Sequence, residues 1–408
     1  MKEPELKLSS LSFFTLWFGA AISIAEIFSG GLIAPLGFRK GILAILIGHF
    51  LGTIIFVLGG IIGSKEKMSA INSTESSFGV YGRKLFGILN VLQLVGWTAV
   101  MIKSAAVSLN AISVELWKFN NIILWAIFIA FLVMLWIWYG NKGIKYINAT
   151  AVILLLGLMV LVAFITFKNP NELNKTVEGV ISFGGAVEIS AVMPLSWLPL
   201  AADYTRQGTN AKRDAIGSFF GYFLGSSFMY AIGLGASIAI GNSDPGAILL
   251  GVNLGIVALG VVTLSTVTTT FLDAYSAGVS FMSITDRFKE KNVALIMTII
   301  GLILALFFPI ETYESFLYAI GSVFAPLFSV VLTDYFILKR KSKTLSNIDL
   351  LSILHWVLGV ILYYTFVKIE FILGATVPVM IIISMIYIAN RKIFGLKVSE
   401  THKESPMN

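Results

Sequence analysis

Apolar residues run through this chain in long blocks, with neither the spacing of a surface helix nor the alternation of a half-buried strand. Twelve blocks can be marked, at about 11–36, 42–63, 85–114, 122–139, 147–167, 181–203, 216–240, 252–284, 293–309, 314–338, 350–367 and 371–390. A helix rises about 1.5 Å per residue, so roughly 20 residues cross a hydrocarbon core of about 30 Å. The pattern predicts an all-α polytopic membrane protein of about 12 transmembrane helices with short loops. Two blocks are interrupted in a similar way. The first reads Ser23-Ile24-Ala25-Glu26-Ile27-Phe28-Ser29-Gly30-Gly31, with Pro35 beyond. The sixth reads Glu188-Ile189-Ser190-Ala191-Val192-Met193-Pro194-Leu195-Ser196-Trp197-Leu198-Pro199. Lipid cannot hydrogen-bond a freed backbone group, so a broken helix is tolerated only around a buried cavity. Breaks at corresponding places in two halves point to a transporter's substrate site.

Five spans is an odd number, so a second set of five starts from the opposite face of the membrane. The order and the breaks predict inverted repeats over 11–167 and 181–338, with two additional helices over 350–390.

Composition agrees. Hydrophobic residues make up 57% of the 408, charged residues 12%. The net charge of +7 would suit nucleic acid, but its distribution argues against that. With alternating spans and an internal N-terminus, 22 of the 29 Lys and Arg fall in inside segments. Six (Arg39, Lys40, Lys118, Lys168, Lys175 and Lys368) fall outside, and Lys103 lies within a span. This positive-inside bias predicts both termini in the cytoplasm and an even number of spans. With no cysteine, disulfides and thiolate chemistry are excluded. His49, His355 and His402 have no metal-binding spacing, and no phosphate-cradling glycine loop is present. The chain is read as no enzyme, with no cofactor and no obligate protein partner.

Charged residues at membrane depth are functional by default. Glu26 sits at the first break and Asp273 beside the hydroxyls of Thr266, Thr268, Thr269 and Thr270. Lys103 and Glu188 are read either as functional groups or as intramembrane charge partners holding helices in register. Gln93, Trp97 and Met101 share a face of the third span. Trp97 lies too deep for an interfacial belt, and a midplane indole beside Gly96 suits stacking on a flat ring. Trp197 is a second such indole. The threonines and the carbonyls freed near Ile22 and Ala25 are hard oxygen ligands for an alkali cation, if spans one and eight touch. The bland alternative is that the threonines bond back to their own helix.

At these residues the chain resembles a known family. Pro194-Leu195-Ser196-Trp197-Leu198-Pro199-Leu200-Ala201-Ala202-Asp203-Tyr204-Thr205-Arg206 is similar to the end of the sixth helix in nucleobase–cation symporters, the group of cytosine permeases and hydantoin and allantoin transporters. Gly96-Trp97 and Tyr275-Ser276-Ala277-Gly278 are similar to motifs of that family. The overall likeness is to the CytX-type branch, taken to carry hydroxymethylpyrimidine, a thiamine precursor. The resemblance implies a leucine-transporter-type 5+5 inverted repeat with broken helices 1 and 6. It implies a substrate held between spans 1, 3, 6 and 8 by Glu26, Trp97, Met101, Trp197 and Asp273. It also implies a sodium position at Ile22, Ala25, Thr268 and Thr269. The chain departs from the pattern at Met101, where the family carries glutamine, and at Val267, where it carries a hydroxyl.

The acids Glu26 and Asp273 replace family amides. An ionised carboxylate only accepts, so two acids favour a ligand rich in N–H or O–H donors. The expected function is secondary active, cation-coupled import of a pyrimidine across the cytoplasmic membrane by alternating access, with Na+ or H+ as coupling ion. Hydroxymethylpyrimidine leads; cytosine, another nucleobase or a hydantoin is the alternative cargo. A passive channel is the rival class, without a repeated pore motif to support it.

Overall fold

The computed structural model describes residues 8–139, 153, 156, 157, 159–241, 256–285, 287–307, 309, 312–340 and 347–401. Among these residues there is no strand, only helices joined by short turns. Among the described residues nine helices are long and apolar enough to cross a membrane, and a bent pair at the start makes a tenth. The helix Ile256–Met282 (α10) and the helical residues 159–167 fall on the expected eighth and fifth spans. Residues 147–152, 154, 155, 158 and 252–255 of those two expected spans, and Lys2, Lys7, Lys142, Lys145, Lys341, Lys343, Lys403 and His402, lie outside the described residues.

The first span is two helices, α1 (Ser10–Ala21) and α2 (Ile24–Leu32). Ser9 caps α1 by accepting from the Ser12 amide, and the helix stops where Ile22 takes φ −81°, ψ 81°. Ser23 is extended and restarts the chain, its hydroxyl accepting from the Glu26 amide at 3.4 Å. Ser-x-x-Glu is a capping-box sequence. The Glu26 side chain turns away from the cap, as described below. The two halves meet at 59°.

The sixth span is interrupted more gently. Helices α7 (Phe183–Ser196) and α8 (Leu198–Thr205) are separated only by Trp197. Pro194 lies inside α7, and Pro199 sits in the first turn of α8, where its missing N–H costs nothing. Among the described residues the first span alone is bent by more than 40°. The expected unwound stretch in this span is therefore a one-residue turn.

The other spans are α3 (Phe38–Glu66), α5 (Glu75–Trp117), α6 (Ile122–Tyr139), α9 (Ala211–Ile240), α11 (Glu290–Phe307), α12 (Tyr313–Leu332), α13 (Leu350–Lys368) and α14 (Thr376–Thr401). The segment near 64–84, between the second and third predicted spans, is largely helical. It holds the short α4 (Ala70–Ser73) and the start of α5, which kinks at Gly79 with φ 79°. Helix α2 lies against α9 backbone to backbone: a Cβ on Gly30 would strike the Tyr230 main chain, and one on Gly233 the Ile27 main chain. Small residues at such contacts let helices pack where lipid supplies no hydrophobic drive. Leu43, Phe50, Ile123, Phe131, Ile303, Leu354 and Ile361 face outward, an apolar surface suited to acyl chains.

Candidate functional site

A cavity lies where both interrupted spans meet α5 and α10. It is lined by Ser23, Ala25, Glu26, Trp97, Met101, Met193, Ser196, Trp197, Thr269 and Asp273. All five residues expected around a substrate reach it, and every lining residue is buried. The break in each span positions part of the wall. Ser23 and Glu26 come from the restart of α2. Ser196 and Trp197 come from the turn between α7 and α8, where the Gln93 side-chain amide donates to the freed Ser196 carbonyl at 2.7 Å. Gln93 thus holds the third span to the sixth, one helical turn from Trp97.

The Trp97 ring is fixed by edge contacts with Tyr313 (5.9 Å between centroids) and Phe316 (5.4 Å). Gly96 leaves room for the Phe316 ring. Its indole N–H has no protein acceptor among the described residues. On the same side of the cavity, Ser29 donates to the Ala25 carbonyl at 2.8 Å, so Tyr313, also 2.8 Å from that hydroxyl, donates to Ser29. On the α1 side, Trp17 meets Trp197 (5.8 Å) and Tyr204 (5.5 Å) edge-on. The Tyr204 hydroxyl donates to the Leu272 carbonyl at 3.4 Å and accepts from Ser276 at 3.3 Å. Aromatic rings thus close the cavity on both sides.

The two acids differ. Glu26 is engaged: Tyr222 donates to Oε1 at 2.8 Å and Ser226 to Oε2 at 2.6 Å, both from α9. Behind Ser226, His49 Nε2 lies 2.5 Å from its hydroxyl. Asp273 is buried on the cavity wall, and no group among the described residues hydrogen-bonds to it. Nothing in the spacing of Tyr222 or Ser226 along the chain points to Glu26. A signal for His49 was present: it is a titratable group in the middle of a span, but a search for acids, amines and metal spacing passes it by.

The four expected cation ligands do not converge as free oxygens. The Ile22 carbonyl accepts from Ser265 at 2.9 Å, and that of Ala25 from Ser29. Thr268 bonds back to the Leu264 and Ser265 carbonyls of its own helix, at 2.9 and 3.0 Å. Thr269 Oγ1 has no partner but faces the cavity. Spans one and eight do touch here, through a hydroxyl where the resemblance implies an ion. Each of these carbonyls accepts one side-chain hydrogen bond and has a second lone pair, and the Thr268 hydroxyl, as a donor, keeps its own.

The expected charge pair is not formed. Lys103 is half-buried and makes no ion pair among the described residues. Glu188 instead accepts from Tyr363 (2.5 Å), the Ala375 and Thr376 amides (2.6 and 2.8 Å) and the Thr376 hydroxyl (2.7 Å). The amides are those that open α14, a favourable seat for a carboxylate. Four donors already satisfy the Glu188 oxygens, and Lys103 is not among them.

This arrangement can be set beside known proteins. The model of a family described as permease for cytosine/purines, uracil, thiamine and allantoin matches residues 4–352. The chain belongs to that permease family. Cytosine permease of Escherichia coli strain K12 is 26% identical over 344 residues, 83% of this chain and 80% of the permease. Among solved structures, Mhp1, a nucleobase-cation-symport-1 family transporter, superposes with a TM-score of 0.82 in a closed conformation with bromovinylhydantoin bound. That match has 17% identity and covers 95% of this chain and 93% of Mhp1. A substrate-bound, outward-open, Na+-coupled sialic acid symporter superposes at 0.63 with 14% identity, covering 94% of this chain and 88% of that one. The chain is a multi-pass membrane protein of that permease family, with the leucine-transporter-type fold.

Proposed function

We propose that this permease imports an aminopyrimidine by cation symport, binding it in the cavity between spans 1, 3, 6 and 8. The observation that carries this reading is Asp273, a buried carboxyl on the cavity wall with no hydrogen-bond partner among the described residues. A buried polar group without a partner is costly. A ligand with N–H donors relieves that cost, and the exocyclic amine of an aminopyrimidine is such a donor. Trp97 supplies the flat surface for the ring. Stacking of a base on an aromatic side chain is worth about 1–3 kcal/mol.

Glu26 is less available to the substrate, because Tyr222 and Ser226 already occupy its oxygens. Asp273 is therefore assigned the amine, and the hydroxyls of Ser23, Ser196 and Thr269 the remaining ring substituents. Cytosine fits this set and agrees with the relatives' described cargo. Hydroxymethylpyrimidine, with an amine and a hydroxymethyl donor, is the second reading, favoured by the number of acceptors on the wall. Uracil lacks the amine and suits the site worse.

The five-span halves 11–167 and 181–338 would move against each other in alternating access, with 350–390 as an appendix held through Glu188. The lysine and arginine bias supports cytoplasmic termini. The test is labelled uptake into proteoliposomes. Saturable accumulation of cytosine or hydroxymethylpyrimidine against its gradient, with uracil competing weakly, supports the reading. Equilibration without accumulation would indicate a passive pore, and failure to bind any pyrimidine would end it.

A further inference from the structure

Polar side chains descend from the cavity in stripes on three helices. On α5, Gln93 and Asn90 lie four and seven residues below Trp97, on one helical face. On α10, Ser276 and Ser280 lie three and seven residues below Asp273, again on one face. On α8, Tyr204 lies seven residues below Trp197. All five are buried. Hydrogen bonds join the stripes into a seam. Gln93 Nε2 donates to the Ser196 carbonyl at 2.7 Å, Asn90 lies 2.7 Å from Ser280 Oγ, and Ser276 donates to the Tyr204 hydroxyl at 3.3 Å. The seam runs towards the membrane face that carries Arg206, Lys212, Arg213, Lys289 and Lys291, read as cytoplasmic. At its foot Asp203 Oδ1 accepts from the Ala70 amide at 3.0 Å, which holds α4 across the end.

Two amides in this seam are only half used. A carbonyl only accepts, so it is the Gln93 N–H that faces Ser196. Its Oε1 is buried and has no donor among the described residues. Asn90 faces a hydroxyl, which can donate or accept. Whichever end of that amide meets Ser280, the other end is buried without a partner among the described residues. A buried polar group left unpaired is costly, and these two side chains sit one turn apart. Holding helices together does not require that cost, because small residues let them pack closely without it.

We propose that Gln93 and Asn90 form a second binding site for the cargo, between the cavity and the cytoplasmic face, and that it takes a flat ligand rich in N–H or O–H donors. The proposal rests on the transporter reading and adds a station to it. The donors of an aminopyrimidine satisfy the Gln93 oxygen, and the amide of Asn90 offers a further partner. The bonds from Gln93 to Ser196 and from Asn90 to Ser280 close the seam, and the ligand takes their place as it passes. Tyr204 and Tyr275, 6.2 Å apart between ring centroids, supply aromatic faces beside Ser276. Hydrogen bonds to a neutral amide are about half as strong as those to a carboxylate. A ligand therefore leaves this site more readily than it leaves Asp273, as a release step requires.

The chain has no cysteine, so a single introduced thiol reports alone. Asn90→Cys and Ser280→Cys are made in the full-length protein, with Leu92→Cys on the outward face of α5 as the control. In inside-out membrane vesicles, a charged methanethiosulfonate reagent is expected to label both seam thiols and to leave the control untouched. Failure to label either seam thiol, or equal labelling of the control, overturns the site whatever the cargo is. Cytosine or hydroxymethylpyrimidine should slow labelling of the seam, at concentrations above those that fill the cavity in equilibrium binding. Protection that tracks cavity occupancy overturns a separate site, and so does a pyrimidine that fills the cavity and never protects the seam. Seam thiols that label in a protein binding neither pyrimidine leave the seam standing and refute the assigned cargo. Kinetics give a second readout. In Asn90→Leu, uptake turnover should fall about 2- to 10-fold, as for one neutral hydrogen bond lost, while equilibrium affinity changes less than about twofold. Ser280→Ala replaces it if the leucine variant melts early. Unchanged turnover, or an equal loss of affinity, overturns the proposal.

Discussion

The hydroxyl of Ser265 donates to the carbonyl oxygen of Ile22 at 2.9 Å, joining the bend of the first span directly to the eighth. The oxygen at the bend thus has a donor before any ion arrives. Ser265→Ala leaves that carbonyl buried and unpaired, at a cost of about 1–3 kcal/mol. A lower unfolding midpoint in detergent is the expected result. An unchanged midpoint would mean that the junction is held by something else.

Trp97→Ala should weaken substrate binding about 5- to 150-fold, which corresponds to the roughly 1–3 kcal/mol of base stacking. Trp97→Phe should recover part of it. The readout is affinity by equilibrium binding on purified protein, with expression checked alongside. Wild-type affinity in the alanine variant would remove stacking from the account.

Asp273→Asn tests the amine contact. Hydrogen bonds to charged groups contribute about 1.5–3 kcal/mol, so affinity for an aminopyrimidine should drop about 10- to 150-fold. The amide can also donate, so competition by uracil should rise. A variant that keeps its preference for the amine would move that contact to another wall residue.

Glu188→Ala should act on stability rather than on substrate. It strands the Tyr363 and Thr376 hydroxyls and the amides opening α14, at a cost of about 3 kcal/mol. Lower thermal stability with an unchanged KM is expected from melting and uptake curves. A selective rise in KM would place Glu188 in the transport cycle.

Much of this was legible in the chain itself. Block lengths located the spans, because the bilayer sets one length for all of them. Glycine, proline and serine marked the breaks, because in lipid an interruption needs a cavity behind it. Glu26, Trp97, Trp197 and Asp273 stood out by depth and neighbours and Met101 by its helical face, while their grouping around one substrate followed from the family resemblance. What Glu26 touches could not, since Tyr222 and Ser226 lie 196 and 200 residues away. The partners of Glu188, up to 188 residues distant, were hidden for the same reason. The sixth span misled in degree: its prolines fit the helix, one inside α7 and one opening α8, so the interruption shrinks to Trp197.

The glycine contact between α2 and α9 has a mechanical consequence. With main chains touching at Gly30 and Gly233, neither helix can slide past the other, and the carboxyl on one stays with the hydroxyls on the other. Whatever rocks when the permease turns over, those two helices are built to travel as a single beam, and Glu26 keeps its Tyr222 and Ser226 partners as the beam turns.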